Sequence, residues 1–137
     1  MKIRIKGNSL RYRLTKSDVS QLAEEGHLQE EVDFGSQQLY YAIKLVDDDH
    51  ISSIFRENTI ILFVPKQVIK EFADTDKIGF EGKHGNLHLL IEKDFTCLDS
   101  VAEDQSDNYP NPLADKKYEQ ERQETASGGE PGETARP

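Results

Sequence analysis

The sequence has one cysteine, no apolar run longer than about five residues (IILFV, residues 60–64), and more acidic than basic side chains. A single cysteine excludes a disulfide framework, and the run is far shorter than the ~20 residues that cross a bilayer. Without a secretory hydrophobic region, we expect a soluble, cytoplasmic protein. The net charge of −9 argues against general affinity for nucleic acid.

The apolar residues that are present are concentrated in the first part of the chain. Residues 98–137 carry ten acidic and four basic side chains and very few that could be buried. We therefore expect one domain over residues 1–97 and a disordered acidic tail over 114–137. The segment between them, 98–113, is expected to pack on the domain.

Two stretches fifty positions apart are similar: NSLRYRLTKSDVSQLA (8–23) and NTIILFVPKQVIKEFA (58–73). With no insertion, the same offset aligns Leu28 with Ile78, Leu39 with Leu89, and Tyr41 with Ile91. The constant register of apolar positions predicts an internal repeat, with copies at 1–46 and 51–95.

Each copy predicts the element order ββαββ. Alternation on both sides of Gly7–Asn8 is typical of a hairpin in which Ile5 faces Leu10 and Ile3 faces Tyr12. The second copy has Glu57–Asn58 at this turn. Thr15 and Asp18 form a capping box for a helix that Gly26 ends, and Pro65 replaces Thr15 in the second copy. Further strands are expected near 28–34, 37–46, 77–82 and 87–93.

The fold class that follows is α+β. Two half-buried units need each other to complete a core, so we expect a mainly antiparallel, barrel-like core with pseudo-twofold symmetry and two short helices at its ends. Closure would also remove the edge strands. The alternative is a separate open sheet for each copy.

Two family resemblances accompany this fold. The stretch ILFVPKQVIKEFADTDKIGFEGKHGNLHLLIEKD, with Val64, Pro65, Lys66 and Gly79, resembles the swapped-hairpin barrel of AbrB and MazE-type transcription factors. That family builds its barrel from two chains, so tandem copies would imply a single-chain version. The stretches IRIKGNSLRYRLTKSDV and EKDFTCLDSVAEDQSDNYPNP are similar to a family of small uncharacterised bacterial proteins over residues 1–112. That resemblance implies no catalytic residues.

One face of the first hairpin is predicted to be basic. Opposed like charges destabilise a strand pair, so an anionic group should cover this face. The group could be a phosphate of nucleic acid or of a small ligand, or a protein partner. Alternatively, Glu30, Glu31 and Asp33, or the acidic tail, neutralise the charges internally. The candidate anion-binding residues are Lys2, Arg4, Lys6, Arg11, Arg13 and Lys16.

The corresponding face of the second copy is apolar, with Ile54, Ile61 and Phe63. We expect segment 95–113 to cover it, and the alternative is a homodimer or partner interface.

Nothing in the sequence indicates catalysis, and we predict no catalytic residue, metal or cofactor. The acidic stretches 47–50 and 99–108 lack the spacing of a calcium loop. Cys97, His84 and His88 lack zinc-site spacing, and a lone cysteine is more often an apolar filler. His88 is expected to face outward and His84 to lie in a turn.

The favoured function is a small, non-enzymatic binding or interaction protein of unknown ligand. One alternative is a DNA-binding regulator or antitoxin-like protein that uses Lys2, Arg4, Arg11 and Arg13 on phosphates. Another is an accessory protein that binds a small molecule, phosphate or metal. An enzyme that uses the loops between the halves has the least support.

Overall fold

The computed structural model describes residues 1–96 and 105–112 of the chain. Within them, local alternation and capping produce eight strands and two helices. In chain order these are β1 (Lys2–Lys6), β2 (Ser9–Leu14), α1 (Lys16–Glu25), β3 (His27–Asp33), β4 (Gln38–Val46), β5 (Ser52–Arg56), β6 (Thr59–Pro65), α2 (Lys66–Asp74), β7 (Gly79–His84) and β8 (Leu87–Lys93).

The strands form two four-stranded sheets, each of which takes one hairpin from each half of the chain. Sheet 1 has the order β1-β2-β8-β7, and sheet 2 has the order β3-β4-β6-β5. Pairing is antiparallel inside each hairpin and parallel where the hairpins meet, at β2–β8 and β4–β6. The predicted α+β, mainly antiparallel class is confirmed. The alternative of one sheet per copy is wrong, because both sheets mix the two halves.

The expected closure into a barrel is also wrong. No strand ladder joins the two sheets in the described part of the chain, so β1, β3, β5 and β7 remain edge strands. Side chains make the junction between β5 and β7 instead. His84 Nδ1 lies 2.7 Å from the Ser53 carbonyl oxygen and 3.1 Å from the Ser53 nitrogen. A single ring nitrogen either donates or accepts a hydrogen bond. We place the proton on Nδ1, which then donates to the Ser53 carbonyl oxygen, the shorter of the two contacts.

The hairpin register is confirmed at both predicted turns. Ile5 pairs with Leu10 across Gly7–Asn8, and Phe55 pairs with Ile60 across Glu57–Asn58. Gly7, Glu57 and Asn58 have positive φ, as tight two-residue turns require. The tips of both hairpins extend beyond the core, as the exposure of Ile5 (60%) and Phe55 (70%) indicates.

The gapless offset of fifty is wrong for the last hairpin of each half. Tyr12 pairs with Ile91 and Leu62 with Ile43, so Ile43 and Ile91 are the equivalent residues, forty-eight positions apart. Two extra residues precede β7, and the β7–β8 hairpin is then four residues shorter than β3–β4, because 14 residues separate Leu28 from its partner Ile43 and 10 separate Phe80 from its partner Ile91. Leu28 therefore corresponds to Phe80, whereas Tyr41 corresponds to Leu89. The layout is a pseudo-duplicate with two length changes of opposite sign, of which the second is the larger.

The core receives side chains from both sheets and both helices. Tyr12 and Leu62 are completely buried, as a shared interior of the two halves requires. Burial follows the alternation of the strands and the apolar stripes of the helices. The buried apolar residues are Leu10, Tyr12, Leu14, Val19, Leu22, Leu28, Ala42, Ile43, Ile51, Leu62, Val64, Val68, Ile69, Phe72, Leu89 and Ile91.

Both helices begin, and α1 ends, where the sequence predicts. Thr15 Oγ1 accepts from the Asp18 backbone N–H at 3.3 Å, and Asp18 Oδ2 accepts from the Thr15 N–H at 2.9 Å, completing the capping box. Gly26 ends α1 in the left-handed conformation, and Pro65 precedes α2. In the described residues, neither helix has the length and apolar character needed to cross a membrane.

The chain divides into two compact units, Met1–Asp94 and a second that begins at Phe95. In the second unit, Phe95 forms a parallel bridge with Tyr109, and their rings meet edge to face at 6.2 Å. Asn111 donates its side-chain amide to the Thr96 carbonyl. Cys97, most of segment 99–108 and the predicted tail 114–137 lie outside the described residues, so the predictions about them stay predictions.

Candidate anion-binding face

The outer face of sheet 1 carries the cations that the sequence singles out, and we call it the basic face. Residues paired directly across strands point to the same side of a sheet. Read from β1 to β7, the outward residues therefore form three rows. They are Lys2, Arg13, Glu92 and Gly79; then Arg4, Arg11, Leu90 and Glu81; then Lys6, Ser9, His88 and Lys83.

Part of the basic face is neutralised by acids on β8 and at the position that follows it. The parallel ladder places Arg13 beside Glu92, and Arg13 Nε lies 3.0 Å from Glu92 Oε1. Arg11 Nε approaches the same oxygen at 3.7 Å. Lys2 Nζ lies 3.2 Å from Asp94 Oδ2, whose residue is buried. At this end of the face, the expected internal neutralisation is present.

Among the described residues, the acids that provide it are Glu92 and Asp94 and not Glu30, Glu31 or Asp33, while neutralisation by the acidic tail stays a prediction. Glu30 contacts the Met1 amino group at 3.3 Å, whereas Asp33 accepts hydrogen bonds from the Gly35 N–H and the Gln38 side chain. Glu30 and Asp33 belong to β3 in sheet 2, while the basic hairpin lies in sheet 1. Closeness in the sequence suggested the wrong counter-ions. The acids that pair with the hairpin lie on β8 and just after it, at the other end of the domain's sequence.

The hairpin-tip half of the basic face keeps unpaired charge. Arg4, Lys6 and Lys83 are exposed and form no ion pair with any described residue. Lys83 was missed by the sequence reasoning, although the strand pattern GFEGKH could have placed it outward. Lys16 is also exposed, but it begins α1 and does not belong to the sheet rows.

A shallow depression of about 350 Å³ lies in this half of the face. Leu90 is part of its lining, and Arg11, Glu81 and Lys83 supply the charged groups around it. His88 also lines the depression and is exposed, so its predicted outward orientation is confirmed. His84, expected in a turn, is the last residue of β7 and contacts Ser53.

Two buried ionisable groups lie on the inner side of sheet 1. Burial raises the pKa of Tyr12 well above its usual value, and its hydroxyl has no hydrogen-bond partner among the described residues. Burial lowers the pKa of Lys93, although nearby Asp76 opposes the shift. Lys93 Nζ donates to the Thr75 carbonyl at 2.9 Å and lies 5.9 Å from the centre of the Phe72 ring. Both groups belong to the packing of the core.

The loop between the halves brings three exposed ligand types together. Ligand atoms of Asp48, Asp49 and His50 lie within 4.8 Å of one another. A hydrogen bond to Asp49 and the charge of Asp48 raise the pKa of His50. The spacing of 47–50, which does not match a calcium loop, does not predict this convergence. Exposed carboxylates are common without a metal, and we assign no ion to the cluster.

The three residues of the predicted apolar face in the second copy lie together on sheet 2. Ile54 of β5 pairs directly with Ile61 of β6, and Phe63 lies two residues further along β6. All three are half-buried. What covers them stays a prediction.

These features define a class: an α+β protein of two mixed sheets that exposes a partly neutralised basic face. The chain belongs to the family of unknown function DUF7009, which matches residues 1–113. The resemblance to an uncharacterised family is thereby confirmed. No curated protein and no solved structure matches the chain, so the swapped-hairpin resemblance has no support from these comparisons.

Proposed function

We propose that this protein is a non-enzymatic binding protein that holds an anionic group on the hairpin-tip half of its basic face. The observation that carries the proposal is the set of exposed cations Arg4, Lys6 and Lys83, which lack counter-ions in the described part of an otherwise acidic chain. The single cysteine fits a reducing compartment such as the cytoplasm.

Electrostatics favours an external anion here. Arg4 and Arg11 are directly opposed in β1 and β2, and like charges directly opposed across a strand pair are mildly destabilising. Arg11 is only 3.7 Å from Glu92, which also pairs with Arg13, so one carboxylate serves two guanidinium groups. An anion over Arg4 and Arg11 relieves the repulsion, and arginine can bind a phosphate through two parallel hydrogen bonds.

The test is a titration of the full-length protein with pyrophosphate at low salt, followed by backbone amide chemical shifts. We expect shifts in β1, β2 and the β7–β8 turn. The variant Arg4→Glu/Lys6→Glu should lose binding at least tenfold. Its matched control, Lys44→Glu/Arg56→Glu, makes the same charge change on the outer face of sheet 2 and should bind like the parent. Equal losses in both variants, or shifts elsewhere, would contradict the proposal.

A DNA-binding regulator is the second candidate, and the exchange of hairpins supports it. Each sheet combines hairpins from both halves, which is the arrangement that a single-chain version of a swapped-hairpin dimer would have after tandem duplication. Such a regulator would use Lys2, Arg4, Arg11 and Arg13. Its affinity for duplex DNA should fall steeply with salt, and Arg4→Glu/Arg11→Glu should abolish binding. A flat salt dependence would remove this candidate.

A further inference from the structure

Building on the proposed function, we infer that the anionic ligand is a small phosphate ester with free hydroxyl groups, bound in the depression of the basic face. Arg11 and Lys83 hold the phosphate, and Glu81 accepts a hydrogen bond from a hydroxyl group. A nucleic-acid backbone is the ligand that this arrangement disfavours.

The size of the depression fits a small molecule. Its volume of about 350 Å³ is within the lower part of the range of small-ligand sites, ~300–1,000 Å³. Leu90, half-buried at the centre of the second row, provides apolar contact between Arg11 on one side and Glu81 on the other. A site with a few converging polar groups around an apolar centre is the usual form of such pockets.

The polar groups around Leu90 differ in character, and this asymmetry indicates the ligand. Arg11 is on β2 and Lys83 on β7, and β8, which carries the exposed His88, is the strand between them. A phosphate above His88 has Lys83 beside it in the same row and Arg11 diagonally opposite, one row away on β2. Neighbouring strands are about 4.8 Å apart, which places the β2 and β7 backbones about 10 Å apart. A sugar-sized phosphate ester covers that span.

Glu81 is the residue that selects for hydroxyl groups. It is exposed and forms no ion pair with a described residue, so its carboxylate is available as an acceptor. An ionised carboxylate accepts hydrogen bonds and cannot donate them. It therefore attracts a hydroxyl group and repels a second phosphate. Ser9 adds a smaller contribution: its hydroxyl donates to the Lys6 carbonyl at 2.6 Å, which leaves its oxygen free to accept.

The same carboxylates disfavour a polyanion. A nucleic-acid strand that followed the cations across the sheet would pass Glu92 in the first row and Glu81 in the second. Each phosphate placed beside them would meet like charge, which offsets the attraction of the neighbouring arginines. A ligand with one phosphate group can bind between Arg11 and Lys83 without placing a second phosphate beside Glu81 or Glu92.

The experiment compares four probes against the full-length protein by calorimetry at fixed salt: ribose 5-phosphate, glucose 6-phosphate, inorganic phosphate and a twelve-residue oligo-dT. We expect at least one sugar phosphate to bind about tenfold or more tightly than inorganic phosphate, because a hydrogen bond to a charged acceptor adds to the phosphate contacts. Glu81→Gln should remove most of that advantage and leave the affinity for inorganic phosphate unchanged or higher. Lys83→Gln should weaken all three phosphate probes.

Glu31→Gln and Lys44→Gln are the matched controls, since both residues are exposed on the outer face of sheet 2. They should leave every affinity unchanged. Tighter binding of oligo-dT than of either sugar phosphate, or a Glu81→Gln variant that keeps the full sugar-phosphate advantage, would overturn the inference while the anion-binding function stands. Failure of all four probes to bind would overturn the proposed function itself.

Discussion

Gly82 of β7 lies directly against Ile51, the residue that precedes β5. A Cβ atom built at position 82 would be 2.5 Å from Ile51 Cγ2, closer than real Cβ contacts allow. Ile51 is buried, so this contact joins the edge of sheet 1 to the segment that enters sheet 2. It lies next to the contact between His84 and Ser53. Gly82 does not have a positive φ. The requirement for glycine therefore comes from close packing and not from the backbone conformation.

The variant Gly82→Ala should therefore be destabilised. Overpacking of a well-packed interior costs about 1–3 kcal/mol, which exceeds the ~0.4–1 kcal/mol that alanine provides by restricting the unfolded chain. We expect a net loss of about 1–2 kcal/mol in the free energy of unfolding, measured by urea denaturation.

The companion variant Ile51→Ala tests the cause. It removes Cγ2, so Gly82→Ala should cost much less in that background than in the parent protein. Additive effects of the two substitutions would show that Ile51 is not the obstacle.

Removal of the Tyr12 hydroxyl should be tolerated at neutral pH. The Oη atom is buried without a partner in the described residues, and an unsatisfied buried polar group is itself unfavourable. Tyr12→Phe should therefore keep or raise the free energy of unfolding at pH 7, by up to about 1–2 kcal/mol. A loss larger than 1 kcal/mol in chemical denaturation at pH 7 would mean that the hydroxyl is hydrogen-bonded.

The same variant should differ from the parent in alkaline solution. Burial raises the pKa of Tyr12 above 10 in the folded protein, so above pH 10 the unfolded chain releases this proton more readily than the folded one. The free energy of unfolding of the parent should then fall as the pH rises, by up to ~1.4 kcal/mol for each pH unit. Tyr12→Phe lacks this contribution, and its advantage over the parent should grow from pH 10 to pH 11.5. If the free energies of unfolding of the two proteins followed parallel curves against pH, this pH dependence would not come from Tyr12.

Loss of the capping box should destabilise α1. Thr15→Ala removes the hydroxyl that accepts from the Asp18 N–H, and such substitutions cost about 1 kcal/mol. Ser20→Ala, at an exposed position inside the same helix, is the control and should leave stability unchanged or slightly raised. Thermal unfolding followed by circular dichroism measures both. Equal stability of the two variants would mean that the cap contributes nothing.

Neutralising Glu92 should strengthen anion binding. Glu92→Gln removes the carboxylate shared by Arg11 and Arg13, and a unit charge about 6 Å from a bound anion in a largely solvated site is worth roughly threefold in affinity. Glu31→Gln makes the same charge change on sheet 2 and should have little effect. Pyrophosphate titration of the two variants provides the comparison. An unchanged affinity in Glu92→Gln would place the anion away from these arginines.

The local elements could be predicted because their signals are local. Gly7–Asn8 and Glu57–Asn58 fix two hairpins, and the Thr15 capping box fixes the start of α1. The register shift between the halves could not be seen, because both length changes are even. Since side chains alternate with a period of two along a strand, a shift of two residues leaves every apolar residue on its own face. The apolar pattern is the same at an offset of forty-eight or fifty.

Only the part of the candidate site on the β1–β2 hairpin could be predicted, because the cations of that hairpin are visible in its own sequence. Glu92, Lys83 and Glu81 reach the basic face through the β2–β8 ladder, which pairs Ser9 with His88. Nothing in the neighbouring sequence specifies a parallel pairing over so long a separation. Charge alone therefore suggested nearby Glu30, Glu31 and Asp33 as counter-ions, and the assembled sheet provides Glu92 instead.

The sharing of both sheets between the halves has a consequence for how the chain is made. When residues 1–46 have left the ribosome, β2 and β4 still have no parallel neighbours, because β6 and β8 have not been synthesised. Neither half has a complete sheet to fold into by itself, and productive folding waits for almost the whole domain. Two separately expressed fragments, cut in the exposed loop at 47–50, are accordingly suited to mutual complementation.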